Sequence, residues 1–106
     1  METTWSLESL LIDAEPDEGQ IDGIIVVDNF EFKYNKKPYW KCVGFNERLN
    51  AFEVINMRIG RSGLATIKDE KLIVIERYEE NAPAPDTLSP SDGTAYWEFK
   101  RFKKAQ

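Results

Sequence analysis

Between residues 33 and 41 the chain interleaves cations with flat rings: Lys33, Tyr34, Lys36, Lys37, Tyr39, Trp40 and Lys41. That combination is what single-stranded nucleic acid asks of a protein. Cations track the phosphates, and rings stack on bases at about 1–3 kcal/mol each. The C-terminal run Tyr96-Trp97-Glu98-Phe99-Lys100-Arg101-Phe102-Lys103 repeats the mixture. If the two stretches are neighbouring strands, Arg58, Arg61, Trp97, Arg101 and Lys103 extend one basic-aromatic face. Binding there is electrostatic tracking plus stacking, of single-stranded DNA or RNA, with little base specificity. No RNP1-type module motif accompanies it. The plainer alternative is that the rings fill a small β core while the lysines solvate a hairpin and guard a strand edge.

Other chemistry is poorly supplied. The chain has no histidine and one cysteine, Cys42. Ser-His-Asp and Cys-His nucleophilic machinery is therefore excluded, and the commonest metal ligand is missing. A lone cysteine allows no internal disulfide, which fits a cytoplasmic protein; it reads as a small core hydrophobe on a strand. Gly60-Arg61-Ser62-Gly63 lacks the lysine and the length of a phosphate-binding P-loop and reads as a turn. Asp69-Glu70 and Glu79-Glu80 are adjacent acids in turn-like sequence, and Asp86 and Asp92 do not fit a calcium loop. The expectation is a non-enzymatic protein with no cofactor and no metal.

Charge is segregated along the sequence. Before Lys33 only acids occur, and the formal net charge of the whole chain is −5. Blocks of alternating sign suit a partner surface as well as a nucleic acid. A second reading is therefore a protein–protein adaptor or regulatory subunit, of the kind viruses and mobile elements encode. Its docking element would be the acidic N-terminal segment, through Trp5, Leu7, Leu10 and Leu11, or the loop over residues 79–93. A homodimer through an open sheet edge belongs to the same class. No apolar run is long enough to form a signal peptide or to cross a membrane.

The elements that must position these residues are mostly strands. Leu7, Leu10 and Leu11 recur at i, i+3, i+4, which predicts a short helix over 4–13, ended by Pro16 and Gly19. Residues 1–20 then form an acidic helical segment. Ile24 to Val27 and the alternation of Phe30, Phe32 and Tyr34 read as strand, followed by a turn at Asn35-Lys36-Lys37-Pro38. Tyr39 to Phe45 alternates again. A strand over 51–59 changes its buried face, which predicts a bulge near Ile55. Short strands follow over 64–67 and 72–75. Residues 79–93 have coil composition, and a final strand runs from Thr94 to about Lys103. The expected fold is a single mainly β (β-rich α+β) domain. It is a small bent antiparallel sheet or barrel of five to six strands, OB-like or SH3-like, with one short N-terminal helix.

Overall fold

The computed structural model describes residues 2–17, 23–79 and 81–102. Among these residues nine strands make one antiparallel sheet: β1 (Thr3–Ile12), β2 (Glu15–Pro16), β3 (Ile24–Asp28), β4 (Glu31–Tyr34), β5 (Lys37–Asn46), β6 (Ala51–Asn56), β7 (Ser62–Lys68), β8 (Lys71–Arg77) and β9 (Thr94–Arg101). From β3 onward each strand pairs with the next in sequence, and β1 pairs with both β3 and β9. The sheet is thereby a closed up-and-down barrel of eight strands, with β2 as an extra strand on the end of β1. The sequential order differs from the five-stranded Greek key of an OB-fold. The expected strand count was too low because the run 24–34 is two strands joined by a turn at Asn29-Phe30, and because β1 and β2 stand where a helix was expected.

No helix occurs among the described residues, so the expected N-terminal helix is overturned. Residues 3–12 are instead the strand that closes the barrel, pairing Thr3–Ser6 with β3 and Trp5–Ile12 with β9. The leucine spacing has a specific cause. The register against β9 shifts between Leu7 and Ser9. This bulge puts Leu7, opposite Phe99, and Leu10, opposite Trp97, on the same inner face although they are three apart. Leu11, opposite Tyr96, faces outward. A bulged strand thus reproduces a helical i, i+3, i+4 pattern. Residues 1 and 18–20 of the expected acidic segment lie outside the described residues.

Four hairpins share one turn chemistry. Asp13-Ala14, Asn29-Phe30, Asn35-Lys36 and Asp69-Glu70 all have φ between 52° and 68°. Two consecutive positive φ values mark the type I′ turn, whose twist matches the flanking strands. Asp or Asn, which tolerate that conformation best among residues with a Cβ, leads each time. The strand predicted over 51–59 stops at Asn56, and Met57–Ile59 form a turn. The bulge expected near Ile55 lies in the partner strand, between Cys42 and Gly44.

Alternation along the strands divides the apolar residues between two clusters. Trp5, Ile25, Phe32, Trp40, Val54, Ala65, Leu72, Val74 and Phe99 fill the barrel. Each large aliphatic side chain there contributes about 1.5–3 kcal/mol by leaving water. Ala51, Leu64, Ile75 and Tyr96 form a strip on the outer wall, with Leu11, Leu49 and Leu88 packed against it. Leu88 belongs to the long connection between β8 and β9. That connection leaves one end of the barrel, where the Gly93 amide donates to Asp13 Oδ1 at 2.7 Å. It reaches the other end, where Arg48 donates to the Asp86 carbonyl at 3.2 Å. It is a strap over the outer strip.

The open end of the barrel as candidate functional site

An eight-stranded barrel is just wide enough to be filled by side chains or to hold one small ligand. Here one end is filled and the other is not. The end formed by the 35–36 turn, the 57–61 loop and the start of β3 contains a cavity of about 280 Å³. Tyr34, Tyr39, Trp40, Trp97 and Phe99 give it an aromatic wall, and Leu7, Leu10, Gly23 and Ile25 complete the apolar lining. Arg58 is the one charged residue on that lining among the described residues. Outside it, a cleft of about 320 Å³ runs over Tyr34, Asn35, Lys37, Pro38, Tyr39 and Arg58. Tyr34, Tyr39 and Arg58 border both spaces, so the cleft adjoins the cavity.

The rings are locked by contacts with one another. Trp40 meets Trp97 edge-on at 5.0 Å between centroids, Tyr39 at 4.6 Å and Phe99 at 6.4 Å. Tyr39 reaches the cavity because β5 carries a second irregularity, a register shift against β4 between Phe32 and Lys33. Without it, Tyr39 and Trp40, being consecutive, would sit on opposite faces. The Arg58 guanidinium lies 5.6 Å from the Tyr39 ring centre, within cation–π range. Burial, reinforced by the nearby Glu76 carboxylate, raises the Tyr39 phenol above its ordinary value, so it stays a hydrogen-bond donor at neutral pH.

Beneath the cavity floor sits a polar group that the sequence reading missed. Glu76 is 2% exposed inside the barrel. Trp40 Nε1 donates to its Oε1 at 2.7 Å, and Asn56 Nδ2 donates to Oε1 and Oε2 at 3.1 and 3.3 Å. Asn56 Oδ1 in turn accepts from the Arg58 and Ile59 amides at 2.9 and 3.3 Å. One buried carboxylate thereby fixes the Trp40 indole and the loop that carries Arg58. Burial raises its pKa above the ordinary carboxylate value, while the Trp40 and Asn56 hydrogen bonds and the charge of Arg61 pull it back. Gly63 lies opposite on β7, where a Cβ would come within 2.6 Å of the Ile75 carbonyl and 2.9 Å of Glu76 Cβ. The signal was present in the sequence: Leu72, Val74 and Glu76 share one face of a strand, so an acid sits on the inward period.

The candidate nucleic-acid residues are distributed over the whole barrel. Trp40 is 1% exposed and offers no ring face to a base, whereas Tyr34 is 40% exposed. Trp97 lines the cavity. Lys36, Lys37 and Arg58 are exposed at the open end. Lys33 and Lys41 lie on the outer wall beside Glu31, Lys33 at 4.0 Å from its carboxylate and Lys41 opposite it in register. Arg61 donates to the Tyr78 carbonyl. Arg101 stacks over Trp5 at 5.6 Å, at the opposite end of the strands. Lys103 lies outside the described residues. The structure therefore gathers Tyr34, Lys36, Lys37, Tyr39 and Arg58 and leaves Lys33, Lys41 and Arg101 elsewhere.

The stripe offered for partner docking, Trp5, Leu7, Leu10 and Leu11, does not exist as one face. Trp5 is buried in the barrel, Leu7 and Leu10 line the cavity, and Leu11 packs under the strap. Closure of the sheet also removes its long edges. Among the described residues no group of three His, Cys, Asp or Glu could hold a metal ion, and no helix is long and apolar enough to cross a membrane. Comparison with protein-family models, with curated proteins and with solved structures yields no match for this chain.

Proposed function

We propose that the protein is a non-enzymatic binding module that takes one small, flat, apolar molecule into the open end of its barrel. The observation that carries this reading is the cavity of about 280 Å³ with its aromatic wall. That volume sits at the small end of the range for ligand pockets, which suits one or two fused rings. A catalytic role is less well supported. The buried acid, Glu76, is held by Trp40 and Asn56 and does not line the cavity. A cytoplasmic setting is part of the proposal, resting on Cys42 as the single, free cysteine.

The same rim favours a second reading. Tyr34, Lys36, Lys37 and Arg58 are exposed together, so a single-stranded oligonucleotide would find one stacking surface and three cations there. The face is smaller than expected from the sequence, since Trp40 is inside. A protein partner would instead find Phe30 and Phe45, 63% and 49% exposed at the opposite end.

Titration with neutral 2-naphthylmethanol, followed by tryptophan quenching, tests the primary reading. Saturable binding is expected, with loss on Leu10→Trp, a substitution that fills the cavity. Circular dichroism and a cooperative melt would show that this variant still folds. Binding unaffected by Leu10→Trp refutes the reading, as does a native chain that binds neither this alcohol nor an anionic analogue of the same ring size. A labelled oligothymidylate run in parallel, at low and high salt, reports on the second. Salt-sensitive binding lost in Tyr34→Ala would favour it.

A further inference from the structure

We infer that the ligand of the open end carries a single oxyanion, a carboxylate or a phosphate monoester, on its apolar body. This inference rests on the small-molecule reading above and names the chemical class. Among the described residues the cavity lining is aliphatic and aromatic, with the Tyr34 and Tyr39 hydroxyls on it, and its one charge is the Arg58 guanidinium at the mouth. Lys37 adds a second cation to the adjoining cleft. Neither space has a carboxylate on its described lining, so nothing acidic among these residues offsets the two charges where a ligand would leave the cavity. Among the described residues no carboxylate forms an ion pair with Arg58. Its position is nevertheless fixed from both sides. The Tyr39 ring supports the guanidinium, and Asn56 Oδ1, anchored through Glu76, accepts from the Arg58 amide.

The order of features along the site dictates the order along the ligand. Rings at the bottom require a flat apolar body, and the cation at the exit requires the anionic group at one end of it. A planar fork of N–H donors matches carboxylate and phosphate oxygens in pairs, which a lysine cannot do. A cation bordering an apolar cavity also acts through less screening than one surrounded by water. A cation is disfavoured by the same geometry, because Arg58 and Lys37 would repel it.

Three probes of equal ring size separate the possibilities: 2-naphthoate, 2-naphthyl phosphate and neutral 2-naphthylmethanol. Each is titrated against the full chain by tryptophan quenching and checked by calorimetry. At least one anion is expected to bind about tenfold tighter than the alcohol, the difference between a charge-assisted and a neutral hydrogen bond. The preferred anion assigns carboxylate or phosphate. Arg58→Gln should bring the anion-to-alcohol ratio close to one, and Lys37→Gln should reduce it. Lys41→Gln, on the outer wall, should leave the ratio intact. If all three probes bind equally, or if Arg58→Gln keeps the anion preference, the oxyanion inference falls while the barrel-end site stands. If none of the three binds, the site itself is refuted, and the inference with it.

Discussion

Removing the Glu76 side chain should be far more costly than neutralising it, and the stability of either variant relative to the native chain should depend on pH. In Glu76→Ala, Trp40 Nε1 and Asn56 Nδ2 lose their acceptor while remaining buried. A buried donor left without a partner costs about 1–3 kcal/mol. Two such donors, with the lost packing, make a loss of about 3–5 kcal/mol, much of the stability of an ordinary domain. For a chain of 106 residues this lowers Tm by roughly 12–25 °C. Glu76→Gln keeps an oxygen where Oε1 accepts from both donors, at 2.7 and 3.1 Å, and gives up the weaker 3.3 Å contact. It also removes a charge that burial disfavours.

The sign of the pH effect follows from the raised pKa of Glu76 in the folded chain. Between the ordinary value of 4.5 and the folded value, the native state binds the extra proton. Stability from this group is complete below pH 4.5 and is lost as pH rises through the folded pKa. The slope is at most about 1.4 kcal/mol per pH unit. Relative to the native chain, Glu76→Gln should therefore gain stability as pH rises from 4.5 upward. Urea melts at half-unit steps from about pH 4.5 to 8, followed by tryptophan fluorescence, measure it. The chain has no histidine, so that window is free of the usual titrating group. Parallel stability curves for native and Gln chains, or a loss below about 1 kcal/mol for Ala, would refute the reasoning.

Other substitutions probe the rest of the frame. Gly63→Ala should destabilise by about 1–3 kcal/mol in chemical denaturation, because its Cβ meets backbone and Glu76 rather than a flexible chain end. Lys36→Gly should stabilise by about 0.5–1 kcal/mol, since residue 36 holds φ at 68° with a Cβ in place. Asp13→Ala removes the acceptor of the Gly93 amide. It should speed hydrogen exchange in the strap while β5 and β8 stay protected, with a loss of about 1 kcal/mol in overall stability.

Much of the barrel was legible in the sequence, and the misreadings share a physical cause. β5, β8 and β9 declared themselves by alternation and β-branched runs. The Asn35-Lys36 and Asp69-Glu70 turns did so by their residue types. Bulges were missed or, near Ile55, placed on the wrong strand, because an inserted residue is indistinguishable in sequence from a change of period. The bulge in β1 turned Leu7 and Leu10 into an apparent helix face, and the irregularity at Tyr39 hid that two consecutive aromatics share the cavity. Those two irregularities build the candidate site, so the site was less legible than the fold. The basic-aromatic run has the composition of a nucleic-acid surface, yet alternation divides it. Trp40 goes to the interior, Lys33 and Lys41 go to the outer wall, and only the turn keeps its cations beside an exposed ring. Closure of the barrel depends on β1 pairing with β9, between the two ends of the chain, and local patterns carry no trace of it.

The three tryptophans give the most direct test of the central claim. Trp40 and Trp97 line the cavity, whereas Trp5 is buried away from it beside Arg101. In a heteronuclear NMR titration with 2-naphthoate, the indole N–H signals of Trp97 and Trp40 should move together with the Gly23 and Arg58 amides. The Trp5 indole and the amides of Lys33 and Lys41 should hold still. Shifts confined to Trp5, to the outer wall or to the strap, or no shift at saturating probe, would contradict a ligand site in the open end of the barrel.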